Sequence, residues 1–206
     1  KQTQKPYGVC GVTEQRLYPE LTAAIEQADF FFTRETASLQ VVKEGVSKQP
    51  HVGFFPDATF ALQIRNEAKA QERLQALGLN NQDFLCIVPR LRFTPYYKIH
   101  SYIQWSEEKI NEVNTVNDRF KEIDHEKLRQ VIIRWVKETG KKVLLCPEMT
   151  YQLDIMDELL LAPLPEEVKP FVYRLSDYWI TDEAASVYSR AFAVVSMECH
   201  SPIIAL

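Results

Sequence analysis

The sequence predicts an α/β fold in which repeated strand–helix units form mostly parallel sheets. Short apolar runs alternate along the chain with segments whose apolar residues recur every three or four positions, which is typical of alternating strands and helices. In addition, the run from Asp83 to Arg90, DFLCIVPR, is almost continuously apolar. Such a run is expected of a strand that is covered on both faces, as in a parallel sheet between two layers of helices.

The first part of the chain contains three strand signals and three helix signals. Short apolar runs predict strands at 7–12, 29–33 and 51–55. Apolar spacing and glycine stop signals predict helices at 17–28, 36–44 and 66–78. Each strand is therefore followed by a helix, which favours parallel pairing with right-handed crossovers.

The second part repeats this pattern with longer elements. Apolar runs predict strands at 83–90, 142–146, 171–175 and 193–197. Helical spacing predicts helices at 124–140, 153–160 and 181–191, and another that begins at 200. Asp124 is the candidate N-cap of the first of these helices, and Gly140 ends it. Residues 93–123 are aromatic and polar without a long period, so we interpret them as an insertion.

The alternation of strand and helix signals starts again near residues 64–82, which predicts two domains with Rossmann-like topology. Residues 1–65 would be the C-terminal part of a first Rossmann-like domain. Residues 66–206 would form a second Rossmann-like domain with an aromatic insertion at 93–123. The last helix breaks off almost as it starts, so we expect the second domain to be truncated and the chain to be incomplete.

Composition narrows the possible partners. The 206 residues carry a formal charge of −4 and show no basic face, which argues against nucleic acid. Apolar runs are too short for a transmembrane segment. The cysteines form no CxxC pair, and with the histidines they lack metal-ligand spacing, so we expect no metal and a reduced, cytoplasmic location. The four cysteines are Cys10, Cys86, Cys146 and Cys199.

Ligands of open α/β sheets bind beyond the carboxyl ends of the strands, and this rule selects candidate site residues. They are Thr13, Glu14, Arg34, Glu35, Asp57, Arg90, Arg92, Glu148, Arg174, Ser176, Asp177, Glu198, His200 and Ser201. Three strand ends carry arginine, whose planar fork of donors matches carboxylate and phosphate, which favours an anion site. His200 suits proton transfer. The alternative is that these arginines only pair with nearby carboxylates and that His200 only caps the last helix.

Several segments resemble one family in order and spacing. The segment ADFFFTRETASLQVVKEGV, followed by HVGFFPDATFAL, resembles the end of the family's N-terminal domain, and FLCIVPRLR resembles the first strand of its second domain. CPEMTYQLDIMDELL and AFAVVSMECHSPIIAL resemble later strand–helix motifs of that domain. The family is that of the polysaccharide pyruvyl transferases, which have a two-domain fold like that of GT-B glycosyltransferases.

The resemblance implies transfer of a pyruvyl group from phosphoenolpyruvate, as co-substrate, to two hydroxyls of a sugar in a cell-surface polysaccharide or exopolysaccharide. No other cofactor is expected. His200 is the implied acid/base residue. Donor-anion candidates are Arg90 or Arg92, with Arg174 and Ser201. Candidates for contact with the sugar or glycan acceptor, either free or lipid-linked, are Arg34, Tyr96, Tyr97, Trp105, Glu148 and Glu198. The three aromatic residues are candidates because aromatic faces stack on sugar rings, and the alternative is that they only pack under a long loop.

One motif departs from the family. Where the family usually has arginine, an apolar residue and histidine, this chain has Glu198, Cys199 and His200. A carboxylate in place of a cation would repel an anionic donor. Either another arginine such as Arg174 substitutes for the missing one, or the donor differs.

Two other functions therefore stay open. A GT-B glycosyltransferase that uses a nucleotide sugar is one, although the chain has only six glycines and no glycine-rich phosphate loop. A non-catalytic relative that binds a sugar or phosphate is the other, and Glu198 is the feature that favours it. The acceptor sugar and the oligomeric state are not predicted.

Overall fold

A computed structural model describes residues 5–48 and 50–206, and the chain divides into two compact units, one up to Leu62 and one from Gln63. All seven predicted strands form, and every pairing between them is parallel. The predicted α/β fold is thus confirmed.

The first unit is a three-stranded sheet with helices between the strands. Its elements are β1 (Gly8–Val12), α1 (Pro19–Ile25), β2 (Phe30–Thr33), α2 (Thr36–Gly45) and β3 (His51–Phe54), followed by a short 3₁₀ turn (Ala58–Ala61). The strand order is β1-β2-β3. Phe31 of the central strand packs with Ile25, Val42 and Val46, so the helices bury one face of the sheet.

The second unit contains a four-stranded sheet between helices. Its helices are α3 (Glu67–Ala76), α4 (Tyr96–Ile99), α5 (Glu107–Thr139), α6 (Gln152–Met156), α7 (Thr181–Tyr188) and α8 (His200–Ile204). Its strands are β4 (Phe84–Val88), β5 (Lys142–Leu145), β6 (Val172–Arg174) and β7 (Ala193–Ser196). All five residues of β4 are buried, which confirms the prediction of a strand covered on both faces.

The side chains of β4 alternate between two cores. Phe84 and Cys86 belong to the core that includes residues of α3 and α7, whereas Leu85 and Ile87 belong to the core that includes residues of α5. Because β4 packs into both cores, the position of its carboxyl end is fixed.

Helix α5 begins earlier than the sequence predicts. It starts at Glu107 after Ser106, whose Oγ accepts a hydrogen bond from the Lys109 amide at 3.3 Å. The prediction that Asp124 caps this helix is wrong: Asp124 lies inside it and forms an ion pair with Arg92. Much of the predicted insertion is therefore helical, and a shorter connection, 89–106, joins β4 to α5.

Helix α5 ends at Gly140, which has a φ of 65°. Within the described part of the chain, no heavy atom of a residue distant in sequence lies within 4 Å of the place where a Cβ would stand, so only backbone strain opposes a side chain. We expect Gly140→Ala to lower the free energy of unfolding by about 1 kcal/mol, measured by urea denaturation, and Gly140→Asn to lower it less, because asparagine tolerates this conformation better. Equal stability of the alanine variant and the parent protein would contradict this expectation.

Candidate functional site

The strand order of the second sheet, β6-β5-β4-β7, places a topological switch point between β4 and β7. From β4 the chain adds β5 and β6 on one side and then returns to add β7 on the other. In open parallel sheets, the crevice beyond the carboxyl ends at such a reversal is the preferred place for a ligand. Arg90 follows β4, and Glu198 and His200 follow β7, so the predicted residues lie on both sides of this switch point.

Arg90 and Glu198 meet across the switch point. The Nη1 atom of Arg90 is 3.2 Å from Oε2 of Glu198. The other oxygen, Oε1, accepts a hydrogen bond of 2.8 Å from Nε2 of Gln152, the first residue of α6. The Glu198 side chain is only 7% exposed, whereas that of Arg90 is 39% exposed. Gln152 therefore holds the buried Glu198 side chain in place, while part of the Arg90 side chain faces solvent.

Gln152 links this pair to the end of β5. Its side-chain carbonyl accepts hydrogen bonds from the backbone amides of Glu148 at 2.6 Å and Met149 at 3.0 Å. The Gln152 side chain is completely buried, and both ends of its amide are engaged. The loop after β5 and the carboxyl group after β7 are thus fixed to each other through one side chain.

Glu148 fixes the start of α8. Its Oε1 lies 3.0 Å from Nδ1 of His200, and its Oε2 accepts hydrogen bonds from the backbone amide (2.8 Å) and hydroxyl (2.6 Å) of Ser201. The buried Tyr188 hydroxyl donates to Ser201 Oγ at 3.3 Å. Both oxygens of Glu148 are therefore used, which gives the carboxylate one orientation.

The contact with Glu148 sets the tautomer of His200. An ionised carboxylate can only accept, so Nδ1 must carry the hydrogen, and the neutral ring then has its lone pair on Nε2. This arrangement suits a residue that gives and takes a proton through Nε2.

Residues that the sequence analysis did not select support the loop after β5. The Tyr178 hydroxyl donates to the Glu148 carbonyl and the Trp179 indole N–H donates to the Pro147 carbonyl, both at 2.8 Å. Both aromatic residues follow β6, so the strand-end rule could have found them. Gln152 and Tyr188 lie within α6 and α7, and nothing in a single sequence distinguishes them from other helical residues.

The environment of Glu198 disfavours its negative charge. Burial raises the pKa of Glu198 from an ordinary value of 4.5 to about 7, against the opposing effect of Arg90, and the nearby Glu148 carboxylate raises it further. Glu198 therefore keeps its proton to a higher pH than an exposed glutamate does.

This raised pKa predicts a pH-dependent loss of stability. The native state binds the Glu198 proton more tightly than the unfolded chain does, so its contribution to stability is present at low pH and is lost as the pH rises through about 7. We expect the melting temperature of Glu198→Gln, relative to that of the parent protein, to be higher at about pH 8 than at about pH 5. Thermal unfolding of both proteins at the two pH values tests this, and a difference that does not change with pH would contradict it.

The other predicted arginines of this unit are engaged elsewhere. Arg92 forms a two-pronged ion pair with Asp124, at 2.7 and 2.9 Å, and its guanidinium lies 3.5 Å from the centre of the Phe120 ring. Arg174 pairs with Asp157 at 2.7 Å. Only Arg90, of these three, contacts the network of Glu198 and Gln152.

The predicted aromatic residues divide into two groups. Tyr97 packs against Trp105 with ring centres 5.4 Å apart, and its hydroxyl donates to Asn114 at 3.1 Å. Tyr96 instead stacks with His100, which stacks in turn with the exposed ring of Tyr102. Tyr97 and Trp105 thus anchor the 89–106 connection, whereas Tyr96 belongs to an exposed stack of rings.

Arg34 lies in the first unit, at the end of β2. Its guanidinium donates to Thr13 Oγ1 at 2.8 Å and to Asp57 at 2.6 Å. Nearby, Glu35 caps α2 by accepting hydrogen bonds from the backbone amides of Ala37 and Ser38. These contacts hold together the carboxyl ends of all three strands of this unit.

Among the described residues, no helix is both long enough and apolar enough to cross a membrane.

Comparison with solved structures shows the same fold in a known enzyme. UDP-N-acetylglucosamine 2-epimerase from Rickettsia bellii matches with a TM-score of 0.50 and 11% sequence identity, over 96% of this chain and 46% of that one. An α,α-trehalose-phosphate synthase (UDP-forming) from Burkholderia vietnamiensis matches with a TM-score of 0.46 and 9% identity, over 92% and 47% of the two chains. The chain thus spans about half the length of these structures. The likeness to the epimerase supports the predicted Rossmann-like fold.

No curated protein matches the chain. The family model described as polysaccharide pyruvyl transferase, however, matches residues 8–206, which is nearly the whole sequence. This agrees with the resemblance of the strand–helix motifs. The chain belongs to the polysaccharide pyruvyl transferase family.

Proposed function

We propose that this protein transfers a pyruvyl group from phosphoenolpyruvate to two hydroxyls of a sugar, forming a cyclic ketal. The observation that carries the proposal is the convergence of Arg90 and the Glu148–His200 pair at the switch point of the second sheet. This reaction needs two groups at one place. One is a cation that binds the donor, and the other is an oriented side chain that gives and takes a proton.

The reaction begins with activation of the donor. Protonated His200 gives a proton to the terminal enol carbon of phosphoenolpyruvate, which becomes a methyl group, and the adjacent carbon becomes electrophilic. Arg90 holds the donor through its carboxylate or phosphate, where a guanidinium forms charge-assisted hydrogen bonds. Glu148 stabilises the imidazolium before transfer and keeps the ring oriented during it.

Ketal formation returns the proton to His200. The first sugar hydroxyl attacks the electrophilic carbon and passes its proton to neutral His200. The bond to the phosphate oxygen then breaks, and the second hydroxyl adds to the same carbon. Of the two hydroxyl protons, one replaces the proton given to the methyl group and the other leaves with phosphate, so atoms and charges balance.

The acceptor we propose is a sugar of a cell-surface polysaccharide or exopolysaccharide, either free or lipid-linked. The family description supports a polysaccharide acceptor. Tyr96, on the connection that follows β4, has a partly exposed aromatic ring of the kind that packs against sugars.

Calorimetric titration of phosphoenolpyruvate into the protein tests the donor without knowledge of the acceptor. We expect saturable binding, and no comparable binding of UDP-N-acetylglucosamine. Binding of the nucleotide sugar but not of phosphoenolpyruvate would overturn the proposal in favour of a glycosyltransferase. Phosphoenolpyruvate binding without phosphate release across a panel of glycan acceptors would instead favour a non-catalytic relative.

A further inference from the structure

The cation of the candidate donor site is already paired with a carboxyl group of the protein. Glu198 lies 3.2 Å from Arg90 and is almost fully buried, so it cannot move its charge into solvent without breaking the bond to Gln152. An incoming carboxylate or phosphate would compete with Glu198 for Arg90. It would also meet the second carboxylate, Glu148, on the neighbouring strand end.

Ionisable groups from four segments of this unit act on Glu198 or feel its charge. Arg90 lies on the connection after β4, Glu148 after β5, Tyr151 before α6, and His200 at the start of α8. Arg90 is the main group that favours the ionised carboxylate, whereas Glu148 and burial oppose it. The charge of Glu198 therefore depends on whether Arg90 remains available to it.

We infer that an anion bearing a carboxylate or phosphate binds at Arg90 together with uptake of a proton by Glu198 from solvent. This inference rests on the proposed function, because it takes Arg90 as the donor-binding cation. Once the anion occupies the guanidinium, Glu198 loses its main favourable partner, and the neutral carboxyl removes the repulsion. A neutral carboxyl can still accept the hydrogen bond from Gln152 through its carbonyl oxygen.

Proton uptake explains how an anion can bind beside the buried Glu198 carboxyl group. Because that carboxyl group can be neutralised, the affinity of the site for anions becomes a function of pH. The pKa of Glu198, about 7 in the free protein, places this dependence in the neutral range. Above that value, we expect affinity to fall by up to about tenfold per pH unit through this group alone.

Calorimetry in buffers of different ionisation enthalpy measures the number of protons taken up on binding. We would titrate phosphoenolpyruvate into the parent protein and into Glu198→Gln, at about pH 6 and about pH 8. The variant binds the same ligand but cannot take up this proton. The difference in proton uptake between the two proteins therefore excludes any protons taken up by phosphoenolpyruvate itself. Oxalate, a dianion that does not titrate in this range, is a second probe that needs only the parent protein.

The expected result is that the parent protein takes up nearly one proton more than Glu198→Gln at about pH 8, and almost none more at about pH 6. With oxalate, the number of protons that the parent protein takes up on binding should increase in the same way from about pH 6 to about pH 8. Binding of phosphoenolpyruvate with equal proton uptake by both proteins would overturn this inference and leave the proposed function standing. Failure of both anions to bind either protein would overturn both.

Discussion

Replacing Glu148 with glutamine should lower the turnover number of the proposed pyruvyl transfer by about 10²- to 10⁴-fold, the usual contribution of acid–base catalysis. Glu148 accepts a hydrogen bond of 3.0 Å from Nδ1 of His200 and two hydrogen bonds from Ser201. A glutamine side chain has one oxygen and one NH₂ group in place of two acceptors, so it cannot satisfy all three donors. The ring of His200 would lose its fixed tautomer and the charge that stabilises its protonated form.

This effect should appear in turnover and not in donor affinity, because Glu148 acts as a positioning residue through His200. We therefore expect Glu148→Gln to bind phosphoenolpyruvate no less tightly than the parent protein. The double variant Glu148→Gln/His200→Ala should be no slower than His200→Ala alone, since residues that act as one unit are not additive. Glu166→Gln, which alters an exposed glutamate paired with Lys169, is the matched control. Fully additive losses would show that Glu148 acts independently of His200.

Removing the Arg90 side chain should weaken phosphoenolpyruvate binding by about 10- to 100-fold, the loss expected for a charge-assisted hydrogen bond to the ligand. Arg90 lies at the switch point, where it contacts Glu198, whereas Arg92 is paired with Asp124 of helix α5. Arg92→Ala is therefore a matched control in the same segment and should change donor affinity by less than about twofold. Calorimetry of Arg90→Ala and Arg92→Ala distinguishes the two candidates that the sequence left open. A larger loss in Arg92→Ala would contradict the account.

The strands were predictable because each is a short apolar run that ends in polar or turn residues. The start of α5 was not, because its buried face contains polar residues. Asn117 and His125 are buried in this helix, and Asn117 exchanges two hydrogen bonds with the backbone of Phe93. Polar residues at buried positions interrupt the apolar period on which the prediction of a helix depends.

The sequence predicted which strand ends carry the candidate site residues, but not which of these residues contact one another. The rule for open parallel sheets selected Arg90, Glu148, Glu198 and His200 from one sequence. The contact between Arg90 and Glu198 joins residues more than one hundred positions apart, and it depends on the strand order, which periodicity does not give. For the same reason, the sequence alone could not show that Arg90 contacts Glu198 whereas Arg92 contacts Asp124.

A crystal structure of the protein with phosphoenolpyruvate is the most direct test of the central claim, that the switch point between β4 and β7 is the donor site. We expect the donor's carboxylate or phosphate within hydrogen-bond distance of the Arg90 guanidinium, with the enol carbon beside His200. Donor bound elsewhere, for instance in the cleft lined by Lys69, Arg73 and Arg174, with the Arg90–Glu198 pair unchanged, would contradict it.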